Sequence, residues 1–270
     1  MSSDPATSHV KEIAEHFVNA RLNHSGLTQY PGPMPETLET AYQVQAHAIS
    51  LWQDEIIGWK VGGVPPEMQS KYNNTKRLAG PIFKNGLKYS ENGAHTDMPI
   101  FVEGYAAIEA EFVLQLDDCS ELPEGELSPE QVHSVIKRAF IGVEIASSPL
   151  TVINDIGPVG PISDFGNNNG LIIGPELTQM VRGDLSEFEV TMIINDKLIG
   201  KTTCPAGFDG PLGAVKFLIE HLKTHNIAIP ENTYVSTGAI TGVHQAFVNA
   251  SSDITFAGIG NMKLSLVPSK

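Results

Sequence analysis

The sequence predicts an α+β protein in which a β-rich core, residues 56–270, follows a helical segment, residues 1–55. Apolar residues recur at helical spacing before residue 55, whereas alternating runs between glycine-rich turns prevail after it. The chain has 270 residues, of which 41% are hydrophobic and 18% charged, as is typical of a folded globular protein. It contains no internal repeat or low-complexity tract, so we expect one structural domain overall.

Two helices are expected in the helical segment. The first should begin after Ser8 and end by Gly26, and its apolar stripe consists of Val10, Ile13, Ala14 and Phe17. A proline-rich joint over residues 30–35 precedes the second helix. One face of that helix collects Leu38, Ala41, Tyr42, Gln45, Ile49 and Trp52. Each helix has a single apolar stripe and should therefore pack against the rest of the chain.

Strands and turns are expected from Ile56 onward. Residues 56–61 form a short, mostly apolar run before a glycine pair. Residues 105–116 alternate, with Ile108, Ala110, Phe112, Leu114 and Leu116 on one face. The motif Ser128-Pro129-Glu130-Gln131 is a helix start, and we expect that helix to continue through Phe140 and a strand over residues 141–146.

The second half of the chain should add a long polar loop, residues 147–169, and a buried strand, residues 171–173. We expect a hairpin over residues 187–203 that turns near Asn195-Asp196. An amphipathic helix over residues 212–225 should follow, and then strands in the last 40 residues.

The charge distribution is uneven. The formal net charge of −14 comes from 17 basic and 31 acidic residues, and this excess argues against binding to nucleic acid or to anionic lipid. Residues 89–136 contain eleven acidic residues and no lysine or arginine. This window is either a solvated acidic surface or a cation site.

Other features predict a cytoplasmic protein. No apolar run approaches the roughly 20 residues that a membrane span requires. The first ten residues lack the basic start and apolar core of a signal peptide. Only two cysteines occur, Cys119 and Cys204, and they form neither a disulfide framework nor a thiolate metal motif.

Three glutamates are candidate metal ligands. Glu109 and Glu111 are two residues apart on the alternating strand and face away from Phe112, so their Cα atoms should be ~6.6 Å apart. Glu144 alternates with apolar neighbours on a later strand. Convergent carboxylates suit Mg²⁺, which prefers oxygen ligands. A solvated face remains the alternative, because the E-x-E pattern recurs at residues 124–126 and 187–189.

Other polar residues could bind or activate a substrate. Lys60 lies on an apolar strand, where it either binds a carboxylate and moves protons or extends into water at the strand edge. Asp164 and Asn167 lie in the long polar loop, although such residues also favour turns for local reasons. Thr237 and Gly238 form a small turn whose N–H groups could receive an anion. No histidine is expected to be a metal ligand.

Six short motifs occur in order along nearly the whole chain. They are Gly58-Trp59-Lys60-Val61-Gly62, Ile108-Glu109-Ala110-Glu111-Phe112, Gly142-Val143-Glu144-Ile145, Ile162-Ser163-Asp164-Phe165-Gly166-Asn167, Val235-Ser236-Thr237-Gly238-Ala239 and Phe256-Ala257-Gly258-Ile259-Gly260. Together they resemble the motifs of the fumarylacetoacetate hydrolase superfamily, and within it those of the 2-keto-4-pentenoate hydratase and 4-oxalocrotonate decarboxylase group.

This resemblance implies a mixed β-roll or β-sandwich core, like the C-terminal domain of fumarylacetoacetase, with peripheral helices and assembly into homo-oligomers. It also implies Mg²⁺ or Mn²⁺ as the cofactor. The implied ligands are Glu109, Glu111 and Glu144. The implied catalytic residues are Lys60 and Asp164, and the implied substrate-binding residues are Asn167, Thr237 and Gly238.

One segment departs from the family pattern. The hydratases usually carry an acidic D-Q-P-like segment between the lysine strand and the metal strand, whereas this chain has Thr75-Lys76-Arg77-Leu78 there. Arg77, together with Asn73 and Asn74, could instead bind a distal group of the substrate. The missing acid leaves the exact reaction open.

The predicted function is that of a metal-dependent lyase acting on a small 2-oxo acid. Hydration of a 2-hydroxy-2,4-dienoate through a dienolate is the first expectation, and decarboxylation of a vinylogous 2-oxo acid through the same dienolate is the first alternative. C–C hydrolysis of an acylpyruvate ranks next because it needs a base to activate water. A cation-binding scaffold without turnover is the last alternative.

Overall fold

A computed structural model of the chain describes residues 5–178, 187–205 and 210–270. Its helices are α1 (Pro5–Leu22), α2 (Leu38–Leu51), α3 (Pro66–Gln69), α4 (Pro129–Ser134), α5 (Val159–Ser163) and α6 (Pro211–Thr224). Its strands are β1 (Ile56–Gly63), β2 (Arg77–Phe83), β3 (Leu87–Tyr89), β4 (His95–Ile100), β5 (Tyr105–Leu116), β6 (Ile136–Ser148), β7 (Asn168–Glu176), β8 (Glu187–Ile194), β9 (Lys197–Pro205), β10 (Tyr234–Ser236), β11 (His244–Gln245), β12 (Ser251–Phe256) and β13 (Gly260–Pro268).

Two mixed sheets form the core. The larger has the order β2-β1-β10-β5-β6-β7-β3, with β11 added beside β5, and it curls into a half-barrel. The second has the order β4-β13-β12-β8-β9. Helices lie around these sheets, which confirms the predicted α+β class. None of the helices in the described part of the chain is long and apolar enough to cross a membrane.

The two faces of the half-barrel differ in chemistry because side chains alternate along each strand. One face of β5 and its neighbours contributes Ala110, Phe112 and Leu114 to the main core, which is shared with the second sheet and α6. Alternation and register place Lys60, Glu109, Glu111, Glu144 and Ser236 on the other face. This face of the larger sheet therefore carries the polar groups.

The helical segment has the predicted elements with shifted ends. The first helix begins at Pro5 rather than after Ser8, whose hydroxyl instead donates to Glu12 Oε1 inside the helix. It ends at Leu22, before Gly26. Helices α1 and α2 share a small apolar cluster with residues 150–165. The boundary at residue 55 stays a prediction.

The helix expected through Phe140 is wrong in its length. The capping box at Ser128 and Gln131 forms as predicted, but α4 ends at Ser134 and β6 begins at Ile136. Pairing with β5 overrides the helix signal, since Leu116 lies opposite Ile136 and the ladder continues to residue 148. The extension matters because it places Glu144 in the middle of a long central strand.

The remaining expectations fit more closely. Strands β8 and β9 form the expected hairpin, in which Asn195 and Asp196 have φ of 49° and 62°, as a type I′ turn requires. The amphipathic helix is α6. The loop expected over residues 147–169 contains α5 and a short turn before β7 begins at Asn168.

Replacing Phe112 by alanine should destabilise the fold by about 3–5 kcal/mol, since the ring is fully buried and its loss leaves a cavity. It packs against Phe188 and Phe256 at centroid distances of 5.7 and 6.0 Å and so links the two sheets. Urea unfolding measures this loss, with Phe247→Ala as the control because that ring is 70% exposed. Equal midpoints for both variants would contradict the packing described.

Candidate metal centre

Strand register brings the three predicted glutamates together. Glu109 of β5 lies directly opposite Glu144 of β6, and Glu111 lies one pleat further along β5 on the same face. One carboxylate oxygen from each residue lies within 4.8 Å of the others. In the described part of the chain, this is the one group of three or more potential ligands that meets this distance. The site is built on rigid central strands.

The hydrogen bonds of this cluster leave carboxylate oxygens for a cation. Glu111 Oε2 accepts from Ser236 Oγ at 2.5 Å and from the Gly238 N–H at 2.9 Å. Glu144 Oε1 accepts from Asn168 Nδ2 at 2.9 Å. The second oxygens, Glu111 Oε1 and Glu144 Oε2, are buried without a hydrogen-bond partner. Buried polar atoms in proteins rarely lack a hydrogen-bond partner. Carboxylate oxygens are the ligands that a hard divalent cation prefers.

Lys60 completes the electrostatics of the cluster. Its Nζ atom lies 3.3 Å from Glu144 Oε1 and its side chain is buried. Burial alone would lower the pKa of Lys60, but the negative charges of Glu144, Glu109 and Glu111 outweigh it and raise that pKa. The ammonium is therefore protonated at neutral pH. When all three carboxylates are ionised, as metal binding requires, they and this ammonium leave two negative charges, which one divalent cation neutralises.

Burial also changes the acidity of the metal-free carboxylates. It raises the pKa of Glu109 to about 7, with Lys60 opposing and Glu144 adding to the shift. Burial, followed by repulsion from Glu144 and Glu109, raises the pKa of Glu111 well above its ordinary value. Carboxylates must be deprotonated to bind a metal, so cation binding should release protons near neutral pH.

This shift predicts a pH dependence of stability. The pKa of Glu109 in the folded protein lies above its ordinary value of 4.5, so folding favours the protonated carboxyl group. The resulting stabilisation of the fold is complete below pH 4.5 and is lost as the pH rises through about 7. In EDTA, the melting temperature should therefore fall more steeply between pH 5 and 8 for the wild type than for Glu109→Gln. If the melting temperatures of the two proteins fall equally between pH 5 and 8, the raised pKa does not belong to Glu109.

In the structure, the Thr237–Gly238 turn binds the carboxyl group of Glu111. The Gly238 amide, with φ of 105°, donates to the Glu111 carboxylate. The Thr237 hydroxyl donates to the Phe112 carbonyl oxygen at 2.8 Å. The turn thus holds a candidate ligand in place. Its predicted contact with substrate stays a prediction.

The predicted loop residues have different environments. Asn167 is buried, and its Oδ1 atom has no hydrogen-bond partner, which leaves it for a ligand. Asp164 is also buried, but both of its carboxylate oxygens accept from Arg21 of α1. Sequence reasoning missed Arg21, since a charged residue in the last turn of an amphipathic helix ordinarily faces water. Arg21 and Asp164 are in contact in the fold but 143 residues apart along the chain, so no local sequence pattern indicates their pairing.

Arg77 lies at the first residue of β2, opposite Gly63, and is partly buried. Lys60 pairs with Gly80 three residues further along, so alternation places Arg77 on the other face of the sheet at this position. Its role toward a distal substrate group stays a prediction, and the register directs its side chain away from the carboxylates.

Two further features escaped the sequence analysis. Tyr105 begins β5 on the same face as Glu109, and its side chain hydrogen-bonds Asn154. Burial raises the pKa of Tyr105, and the charge of Glu109 adds to that shift. The period-2 pattern from Glu109 back to Tyr105 is the signal that could have identified it.

Helix α6 also brings His221 and His225 together with ring centroids 4.3 Å apart, a pair at i, i+4 spacing. Burial, then the charge of His225, lowers the pKa of His221 to about 4.

Comparisons with known proteins point to one fold. No family model matches the chain. Among curated proteins, 4-oxalocrotonate decarboxylase from Pseudomonas putida is 21% identical over 280 residues, which cover 96% of this chain and 97% of that protein.

Solved structures agree with this match. The chain superposes on 4-oxalocrotonate decarboxylase from Pseudomonas putida G7, complexed with magnesium and adipate, with a TM-score of 0.76 and 20% identity over 96% of this chain and 98% of that one. Fumarylpyruvate hydrolase from Pseudomonas aeruginosa, in complex with Mn²⁺ and pyruvate, gives a TM-score of 0.55 and 12% identity over 78% and 89% of the two chains. The resemblance to the fumarylacetoacetate hydrolase superfamily is confirmed at the level of the fold.

Proposed function

We propose that this protein is a Mg²⁺- or Mn²⁺-dependent lyase that decarboxylates a vinylogous 2-oxo acid of the 4-oxalocrotonate type. One observation carries the proposal: a protonated lysine is buried beside a carboxylate cluster that retains two oxygens without a partner. The end-to-end match to 4-oxalocrotonate decarboxylase supports the same choice.

The proposed chemistry needs an electron sink and a proton donor. A divalent cation bound by Glu109, Glu111 and Glu144 supplies Lewis acidity toward the 2-oxo group. Decarboxylation breaks the bond to the distal carboxylate and leaves its electron pair in a dienolate. Lys60 Nζ can attract the substrate carboxylate and can return one proton to the dienolate. Asn167 Oδ1, which lacks a partner, can orient the substrate.

Hydration of a 2-hydroxy-2,4-dienoate is the second candidate, since it passes through the same dienolate and the six sequence motifs are common to both activities. It requires a base to activate water. Asp164, the predicted acidic residue of the loop, is bound by Arg21, and this favours decarboxylation, which requires no such base. Acylpyruvate hydrolysis ranks lower for the same reason. The homo-oligomer implied by the resemblance stays a prediction, which light scattering tests.

The experiment is a substrate comparison with the purified protein. We expect 4-oxalocrotonate to release CO₂ with Mg²⁺ or Mn²⁺ present, and we expect EDTA to abolish the reaction. Proton NMR of the products distinguishes 2-hydroxypenta-2,4-dienoate from its hydrated form. Acetylpyruvate is the control for C–C hydrolysis. Turnover that persists in EDTA, or water addition without CO₂ release, would contradict the proposed reaction.

A further inference from the structure

A buried ion pair lies beside the metal centre without belonging to it. Arg21 Nε is 2.5 Å from Asp164 Oδ1, and the second terminal nitrogen of Arg21 is 3.0 Å from Asp164 Oδ2. The two residues are 4% and 1% exposed. A bidentate arginine–carboxylate pair fixes orientation as well as distance. The pair therefore ties the N-terminal helix to the start of the loop that precedes β7.

Both partners of this pair are held by further contacts. The guanidinium lies over the rings of Phe101 and Phe165, at 5.4 and 5.0 Å from their centroids. It also donates to the Ser147 carbonyl oxygen at 3.2 Å. On the other side, Ser148 Oγ donates to Asp164 Oδ2 at 2.5 Å. The Asp164 carboxylate is thus bound from two directions and has one position.

The residues after Asp164 form a turn with an uncommon backbone. Phe165, Gly166 and Asn167 have φ of 53°, 69° and 63°, so three consecutive residues lie in the left-handed region. For residues other than glycine this conformation is strained, and it persists only where surrounding contacts fix it. The Arg21–Asp164 pair supplies such a contact at the residue immediately before the turn.

This turn and the residue that follows it contact two members of the metal centre. A Cβ atom on Gly166 would come within 2.9 Å of Lys60 Cδ and 2.8 Å of Gly80 Cα, so the turn packs directly on the lysine side chain. Immediately after the turn, Asn168 Nδ2 donates to Glu144 Oε1 at 2.9 Å. A displacement of the turn would therefore move both Lys60 and the hydrogen bond that orients Glu144.

We propose that Arg21, acting through Asp164, is a positioning residue for the metal centre: the buried pair fixes the left-handed turn, and the turn places Lys60 and Asn168 against Glu144. Arg21 itself touches none of the carboxylates in the cluster. The turnover readout of this inference rests on the proposed function, whereas its metal-binding readout requires no knowledge of the substrate.

The primary test measures Mn²⁺ binding, using electron paramagnetic resonance to quantify the free ion. The same variants are assayed for kcat and KM. Loss of a residue that orients a metal ligand typically weakens metal binding or activity 10–100-fold. We expect at least tenfold weaker Mn²⁺ binding and a lower kcat for Arg21→Gln, and partial recovery of both for Arg21→Lys. The control is Arg138→Gln, which removes an exposed arginine that pairs with Glu176 and stacks on Phe140.

A second pair of variants tests the turn itself. Gly166→Ala should lower kcat at least tenfold, because its new methyl group would collide with Lys60 Cδ and with the backbone of Gly80, the residue that pairs with Lys60 across the β1–β2 ladder. Gly93→Ala is the matched control: Gly93 has φ of 75°, but a Cβ there meets no atom within 4 Å. Equal effects of the two substitutions would show that backbone strain alone is responsible and would overturn the proposed contact.

The outcomes separate this inference from the proposed function. Wild-type Mn²⁺ affinity and kcat in a folded Arg21→Gln protein would overturn the positioning role. If that variant fails to fold, Arg21→Gln/Asp164→Asn decides, since it removes both buried charges together; unchanged Mn²⁺ affinity there would overturn the proposal. If the wild type binds Mn²⁺ but turns over no 2-oxo acid, the proposed function is contradicted. The comparison of Mn²⁺ affinity between the wild type and Arg21→Gln then still tests the positioning role.

Discussion

Glu109→Gln should abolish metal-dependent turnover and weaken Mn²⁺ binding by more than ~100-fold, since even the residues that orient metal ligands contribute 10–100-fold. Glutamine keeps the size of the side chain but removes its negative charge. Glu109 is the preferred position because Glu111 and Glu144 accept hydrogen bonds from Gly238 and Asn168 that also position neighbouring loops. Titration of Mn²⁺ measures the loss directly.

The matched control for this variant is Glu189→Gln. Glu189 belongs to the other strand E-x-E pair, on β8, where it is exposed and pairs with Lys201 at 3.2 Å. Its replacement should leave Mn²⁺ affinity and turnover unchanged. If Glu109→Gln retains wild-type affinity for Mn²⁺, the carboxylate cluster is not the metal centre.

Lys60→Met should lower kcat by about 10²–10⁴-fold, the range that a positioned proton donor contributes. The Mn²⁺ affinity should persist or rise, because the substitution removes a positive charge from beside the cation. The experiment compares kcat with the Mn²⁺ dissociation constant for the same protein. This separation distinguishes a role in the reaction from a role in building the site.

The control is Lys263→Met on β13, where the lysine pairs with Asp253 at 3.4 Å and is 48% exposed. It should resemble the wild type in both measurements. Loss of Mn²⁺ binding in Lys60→Met would instead assign Lys60 a structural role and would remove the proton donor from the proposed mechanism.

Much of the carboxylate cluster is predictable from strand periodicity. Alternation in β5 places Glu109 and Glu111 on the face opposite Phe112, and a regular ladder with β6 then brings Glu144 alongside. The prediction that helix α4 continues through Phe140 is wrong. A local capping motif indicates where a helix begins, but the end of this helix is determined by the pairing of β6 with β5. Even so, the predicted strand over residues 141–146 includes Glu144.

The surroundings of the cluster are less predictable because they depend on contacts between distant segments. Asp164 is predicted as catalytic, yet its partner Arg21 lies on the first helix, and no local pattern joins the two. The Thr237–Gly238 turn is predicted to bind an anion, but which anion depends on register, and the structure places Glu111 there. Tertiary placement decides which polar residue meets which partner.

Anomalous diffraction from a crystal soaked with Mn²⁺ and oxalate tests the central claim most directly. Oxalate presents the two adjacent oxygens of a 2-oxo acid without the group that reacts. We predict one strong Mn²⁺ peak on the polar face of the larger sheet, about 2 Å from an oxygen of each of Glu109, Glu111 and Glu144, with oxalate between it and Lys60. A peak elsewhere with none among these carboxylates would contradict the proposed metal centre.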